Sequence, residues 1–443
     1  MSRPGATAVP RETASARYAL RVTRNGTARD IERAGLVLAF AAVHALLWWT
    51  GTTGPNLPFG DVTIAYRQWM DQGGLSGGWV GIDKPWVYPV VALVPMLLAS
   101  VGGTGSIELG WLVMVTVLDG IVLALLWRQR VGRVRVAWWW TVFLLALGPI
   151  ALGRIDTVAT AVALAGVVWI ARRPAVASAL FTVAAWIKVW PAALVGVLLL
   201  LRRGLRTRVL LGAAIVTAVV VLLDLLVGGG AHLLSFVGQQ TGRGLQIEAP
   251  LATPFLWRAS AGVHGTFVYY DAQILTFQVA GAGTSIASAI STQLMALVVL
   301  VGALLALWAA ASGARRTELA PVLALLFVGA LIATNKVGSP QYIGWLAVPV
   351  VWGLLAGRRS ARRFALPAVL ALVTAFATQL IYPDYYDRVL ALQPLLLGVL
   401  TVRNALEVVL LVWSVVALVR MGRAARIAAA HGREARPAPA VQA

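Results

Sequence analysis

The chain of 443 residues contains no cysteine, which excludes disulfides and thiolate metal sites. Histidine is nearly as scarce: four scattered residues give no ligand spacing for a metal. We therefore expect neither metal nor cofactor. Charge is thin as well, at 12% of residues against 59% hydrophobic and a mean hydropathy of +0.81, far outside the soluble globular range. No break in composition marks off a soluble domain. The stretch Met1–Arg33 lacks an apolar core followed by a small-residue cleavage site, so it reads as a basic cytoplasmic tail and not a signal peptide. Lysine is the rarest basic residue: of 37 Lys and Arg, only Lys84, Lys188 and Lys336 are lysine.

What the chain does have is apolar stretches of spanning length, recurring from Gly35 to Leu418. A bilayer core about 30 Å thick needs roughly 20 such residues per helix. The expected fold is an all-α polytopic membrane domain over residues 34–420, with tails at 1–33 and 421–443, the second expected to be disordered. The net charge of +20 does not point to nucleic acid, because basic residues collect in cytoplasmic loops for topological reasons.

The arginines fix the expected topology. Arg3, Arg11, Arg17, Arg21, Arg24, Arg29 and Arg33 hold the N-terminus inside, and Ala34–Gly51 exits. Arg128, Arg130, Arg133 and Arg135 must be inside again, so one of two intervening apolar stretches does not cross. Trp86–Val101, interrupted by prolines 89 and 95, is read as interfacial or re-entrant, and Ile107–Trp127 crosses inward. Ala175–Leu201 is too long for one span yet lies between Arg173 and Arg202, so it goes out and back as two short helices with Lys188 at the apex. Continuing to Arg420, Arg423 and Arg426 gives about twelve spans with both termini cytoplasmic. The loops at 52–106 and 228–284 then face outside.

That topology gathers polar residues on the outer face. The lysines all sit there among Trp, Pro and Tyr, in DKPWVYP (Asp83–Pro89, with Lys84 and Tyr88), WIKVWP (Trp186–Pro191) and NKVGSPQY (Asn335–Tyr342, with Gln341 and Tyr342). Interfacial cations flanked by aromatics suit a phosphate whose lipid tail stays in the bilayer. Taken singly, each lysine also suits snorkelling to headgroups or pairing with an acid. Asp61, in PFGDVTIAY just past the first span, is placed to take a proton from a substrate hydroxyl, or to cap a helix. Asp156 in GRID is a candidate cap for the Thr157 helix, paired with Arg154. In GRGLQIEAP (Gly242–Pro250), Arg243 is a candidate for phosphate and Glu248 for orienting a sugar. Asp119 and Asp224 fall inside spans, where an unpaired charge is costly, and are read as protonated or hydrogen-bonded structural groups.

Together these features resemble glycosyltransferase family 87: an aspartate just after the first span, a Pro/Tyr-rich loop helix, an apical lysine in a short helix pair, the RGLQIE segment and the KVGSPQYIGWL segment. The resemblance covers roughly Ala34 to Val419. One departure is the first loop, which reads GIDKPWVYP where relatives often carry a Tyr-Pro-Pro run. The resemblance implies a GT-C fold and an inverting, polyprenol-phosphate-mannose-dependent mannosyltransferase of the plasma membrane, with its cavity open to the outer leaflet. It implies that Asp61 is the catalytic carboxylate and that Lys188, Arg243 and Lys336 face the donor phosphate, with Gln341 and Tyr342 near the donor. Asp83, Lys84, Tyr88, Arg154 and Asp156 are supporting candidates. The expected partners are a polyprenyl-phosphate sugar donor, a glycolipid or glycan acceptor and membrane lipids. Two other readings stay open at this point: the same fold using polyprenyl-phosphate arabinofuranose or another sugar, and a transporter or flippase of lipid-linked sugars, although interrupted helices near the membrane midplane, typical of transporters, are not evident.

Overall fold

The computed structural model describes residues 14–128, 134–239 and 243–434; Arg3, Arg11, Arg130, Arg133 and Gly242 lie outside the described residues. Helix α1 (Ala14–Thr53) leads into a first loop that carries α2 (Arg67–Ser76) and α3 (Leu93–Ala99). There follow α4 (Ile107–Trp127), α5 (Val134–Leu147), α6 (Ile155–Trp169), α7 (Pro174–Ile187), α8 (Ala192–Leu201) and α9 (Arg206–Leu226). A long connection then holds the short α10 (Ser235–Gly238) and α11 (Thr253–Ser260) and one antiparallel hairpin, β1 (Phe267–Asp271) with β2 (Thr276–Ala280), in which Phe267 faces Ala280. The chain finishes with α12 (Thr284–Ala311), α13 (Arg316–Ala333), α14 (Ala347–Leu355), α15 (Arg358–Arg363), α16 (Ala365–Gln379), α17 (Tyr386–Leu390) and α18 (Pro394–Glu434).

Among the described residues, eight helical stretches are long and apolar enough to cross a membrane: Asp30–Thr53, Thr104–Trp127, Val134–Ala151, Arg203–Leu226, Thr284–Ala311, Arg316–Ala333, Ala365–Asp384 and Pro394–His431. Five shorter apolar helices accompany them, and one, Val90–Ala99, is the proline-broken stretch of the first loop. The expected out-and-back pair is α7 and α8, with Lys188 at the break between them. Residues 421–434, in the tail expected to be disordered, continue α18 as a helix to Glu434; Ala424, Ala425 and Ala428–Ala430 favour helix, and Gly422, inside the helix, lies against Trp308.

Burial follows what each helix faces. Helix α13 is apolar on all sides and sits in the centre, with 83% of its spanning window buried. Helices α9 and α12 bury only 17% of theirs and turn Leu211, Ile215, Leu222 and Leu300 outward. That apolar outer belt is stable only against an apolar medium, where the helices already satisfy their own backbone hydrogen bonds.

The loops at one end of the bundle are packed against one another. The Gln246 N–H donates to the Lys336 carbonyl at 3.0 Å, and Gly338 lies so close to the Glu248–Ala249 peptide that a Cβ there would overlap it. Gly153 is likewise pressed on Pro58 and the Phe59 ring. At the opposite end, Arg363 and Arg315 pair with Glu318 at 3.4 and 3.8 Å. We expect Gly338→Ala to destabilise the protein by about 1–3 kcal/mol through overpacking. A thermal melt in detergent identical to that of the wild type would show that the two loops are not locked as described.

Candidate active site

The site is built at the end of the bundle where the loops meet, and it starts from the turn before α6. Arg154 holds an extended backbone and is 6% exposed. A buried guanidinium must find partners for its donors, and it finds them in its own turn and on two other loops. Nη1 donates to the carbonyls of Pro58 (2.8 Å) and Gly153 (2.9 Å), and Nη2 donates to the Tyr382 hydroxyl (3.2 Å). Nε faces Asp61 Oδ2 at 3.3 Å. The Tyr382 hydroxyl in turn donates to the Asn56 carbonyl at 3.0 Å, and Asn56 Nδ2 donates to the Pro383 carbonyl at 2.8 Å.

These bonds hold the loop in front of Asp61 in a costly shape. Asn56 and Leu57 both adopt positive φ (58° and 49°), a conformation that non-glycine residues keep only when their surroundings enforce it. The capping role considered for Asp61 is not found: the preceding cap is Gly60, without a side-chain hydrogen bond. Asp61 opens a π-helical segment, Asp61–Tyr66, and its side chain stays 34% exposed beside the almost sealed Arg154. Tyr66, at the end of that segment, accepts the Ile155 N–H at 2.9 Å.

Arg154 does not pair with Asp156, as the sequence suggested. The extended backbone at 154 sends its side chain toward the first loop, while Asp156, in the first turn of α6, faces Lys188 Nζ at 3.4 Å. Trp345 Nε1 donates to the other Asp156 oxygen, Oδ1, at 2.8 Å. Trp345 stacks on Tyr342 (centroids 4.1 Å apart) and on Trp190 (5.4 Å). The Lys188 ammonium lies 4.5 Å from the Tyr88 ring centre and 5.8 Å from that of Tyr342, an aromatic surround that favours a cation. Burial, the largest influence, works against that charge, yet Asp156 with Tyr88 and Tyr342 outweighs it, and the lysine holds its proton more tightly than usual. Tyr88 joins the two halves of the site. Burial pushes its hydroxyl up to about 12; Lys188 opposes the rise, and Asp61 and Asp156 add to it.

Arg243, Glu248 and Lys336 come from the two interlocked loops. Burial, then the nearby Arg243, lowers the proton affinity of Lys336. The Arg243 Nε is buried without a hydrogen-bond partner among the described residues. Glu248 is 5% exposed and carries a hydrogen bond with Tyr386. Gln341 lines a small cavity of ≈ 20 Å³ beneath Asp156 and Thr160, room for about one water. Asp83 and Lys84 are exposed and hold a turn: Asp83 Oδ2 accepts the Trp79 N–H at 2.7 Å, and the Lys84 carbonyl accepts the Gly81 N–H at 2.7 Å. Among the described residues, no contact ties either side chain to Asp61, Arg154 or Lys188.

The sequence reading missed Arg403. It is 1% exposed in α18; its Nη2 faces Glu248 Oε2 at 3.7 Å, and its Nη1 faces Glu407 Oε1 at 3.1 Å. The signal was present: an ionisable residue inside an apolar span marks function by default. Tyr382, Tyr386, Trp190 and Trp345 had no comparable signal, being aromatic residues in an aromatic-rich chain. Among the described residues, no cluster of three or more His, Cys, Asp or Glu is arranged to hold a metal.

The chain is thus a bundle of membrane-length helices with a polar, aromatic-lined cluster at one end. The chain matches glycosyltransferase family 87 over residues 86–340, more than half its length, and belongs to that family. No curated protein and no solved structure matches it. It is a membrane glycosyltransferase.

Lys188 and Asp156 form a coupled buried pair, so losing one partner should cost more than losing both. Lys188→Ala is expected to destabilise by about 3–5 kcal/mol, and adding Asp156→Asn should recover a large part of that. Additive losses in detergent melts would remove the pair.

Proposed function

We propose that the protein transfers a sugar, most simply mannose, from a polyprenyl-phosphate donor to a lipid-linked or glycan acceptor at the extracytoplasmic face of the plasma membrane. The observation that carries this reading is the composition of one polar cluster: a partly open carboxylate, Asp61, with Arg154, Lys188, Arg243 and Lys336 on the surrounding loops. A sugar phosphoester is already activated, so the reading assigns no cofactor. Asp61 takes the proton of the acceptor hydroxyl as its oxygen attacks the anomeric carbon on the face opposite the phosphate. The bond to the phosphate oxygen breaks, and the lipid phosphate leaves with the electron pair. Cations beside the leaving group stabilise the charge that builds on it. Arg243, whose buried Nε has no protein partner among the described residues, and its neighbour Lys336 suit the phosphate, while Glu248 suits a sugar hydroxyl. The outer-face assignment rests on the arginine distribution: the clusters at Arg172 and Arg173, at Arg202 and Arg203, and at Arg358 to Arg363 (in α15) sit at the helix ends opposite Asp61.

The test is transfer from labelled polyprenyl-phosphate mannose by purified protein. Asp61→Asn is expected to lower turnover by at least about 10²-fold with an unchanged melt, and near-normal turnover would remove Asp61 from its role. Lys336→Ala is expected to raise the donor KM more than it lowers kcat; an unchanged donor KM would support snorkelling instead.

A further inference from the structure

We propose that Arg403, buried in the last membrane helix, is the positioning residue that presents Glu248 to the sugar, with Glu407 dividing the guanidinium between two carboxylates. The role assigned to Glu248 rests on the sugar-transfer reading above; the charge cluster does not.

The guanidinium is committed on every side. Nη1 donates to the Glu248 carbonyl at 2.9 Å and to Asn404 Oδ1 at 2.7 Å, and Nε donates to Thr378 Oγ1 at 3.3 Å. Asn404 Nδ2 donates on to Thr253 Oγ1 at 2.9 Å. Arg403 thus grips both the main chain and the carboxylate of residue 248, and it ties α11, α16 and α18 to the loop that carries Glu248. Such an arrangement fixes a side chain to the tolerance that a reacting geometry demands.

The charge balance gives the arrangement a second property. Two carboxylates face one guanidinium in a nearly sealed space, where two negative charges against one positive are costly. Glu248 Oε2 and both Glu407 oxygens are buried without a hydrogen-bond partner among the described residues. The charged and titratable groups facing Glu248 are Arg403 and Glu407 from α18, Arg154 from the turn before α6, Tyr386 from α17 and Tyr382 from the segment between α16 and α17. Burial pushes the Glu248 carboxyl up to about 7; Arg403 opposes the rise and Glu407 adds to it. Glu248 is therefore ionised and able to accept a sugar hydroxyl above that pH, and becomes protonated as the pH falls through it. The chain from Asp61 through Arg154, the Tyr382–Tyr386 ring contact (5.1 Å) and Glu248 to Arg403 is continuous, so the device reaches the proposed reaction centre.

The experiment measures transfer from labelled polyprenyl-phosphate mannose against pH for wild type, Glu248→Gln, Glu407→Gln and Arg403→Lys. In parallel, infrared titration follows the buried carboxyl stretch without substrate. Wild-type activity is expected to fall on the acid side with a midpoint near 7, and Glu248→Gln should remove that limb. Glu407→Gln takes away a charge that raises the Glu248 value, so its midpoint should move to lower pH in both the rate and the infrared titration. Arg403→Lys keeps the charge but loses the fork; it is expected to lower kcat/KM by about 10²-fold, with a raised donor KM that mere loss of folded protein would not produce. The proposal is overturned by an unmoved midpoint in Glu407→Gln, or by an Arg403→Lys enzyme with wild-type kinetics. If Arg403→Lys does not fold, Glu407→Gln, nearly isosteric, still decides. If the wild type transfers from no polyprenyl-phosphate sugar, the functional reading fails by itself, and the infrared midpoint in Glu407→Gln decides the charge cluster.

Discussion

A guanidinium withdrawn from solvent has to satisfy its donors, and at residue 154 doing so draws three distant loops to one point. Arg154 bonds to Pro58 and Gly153 through their carbonyls and to Tyr382 through its hydroxyl, while its charge meets Asp61. Together with the bond from Asn56 Nδ2 to the Pro383 carbonyl, those partners hold Asn56 and Leu57 at positive φ and fix the loop bearing Asp61 relative to α6 and α16. The site is assembled from loops far apart in sequence because one buried charge cannot be left uncompensated.

The same requirement repeats with different partners and leads to different chemistry. Lys188 is compensated by Asp156 and an aromatic surround, and Arg403 by Glu248 and Glu407. Within the bundle, His44 faces Asp119 at 3.3 Å between α1 and α4, which gives Asp119 the hydrogen-bonded structural place expected of it. Asp224 has no such partner among the described residues; its carboxylate lies over Gly229 at the end of α9.

Much of this was legible in the sequence for one reason: in a bilayer, length and charge parity constrain the chain more tightly than propensity does in water. Two short helices meeting at Lys188, and the proline-broken Val90–Ala99, follow from that arithmetic. Pairing was less legible. The sequence placed Arg154 beside Asp156, its neighbour, whereas the extended backbone at 154 sends it to Asp61. Neighbours in sequence were favoured because contacts across the fold leave no local trace. Arg403 escaped attention because it lies within the last apolar stretch, near its start, where the eye reads an edge; the structure puts it nine residues inside a helix that begins at Pro394. The helical continuation of α18 to Glu434 was hidden by a tail whose charge resembled a solvated terminus.

The two acidic residues nearest the Arg154 turn show how environment separates roles. Asp156 is 3% exposed as a side chain, with one oxygen held by the Trp345 indole and the other facing the Lys188 ammonium. Asp156 is thus buried between an indole donor and an ammonium, a setting that holds the lysine in place. Asp61 is open by a third and meets its cation through a single oxygen, Oδ2. Under the proposed sugar transfer, the second arrangement gives an acceptor hydroxyl room to approach while the carboxylate stays oriented, a condition that proton transfer sets before any question of acidity. Arg154, sealed behind it, fixes the direction from which that approach is possible.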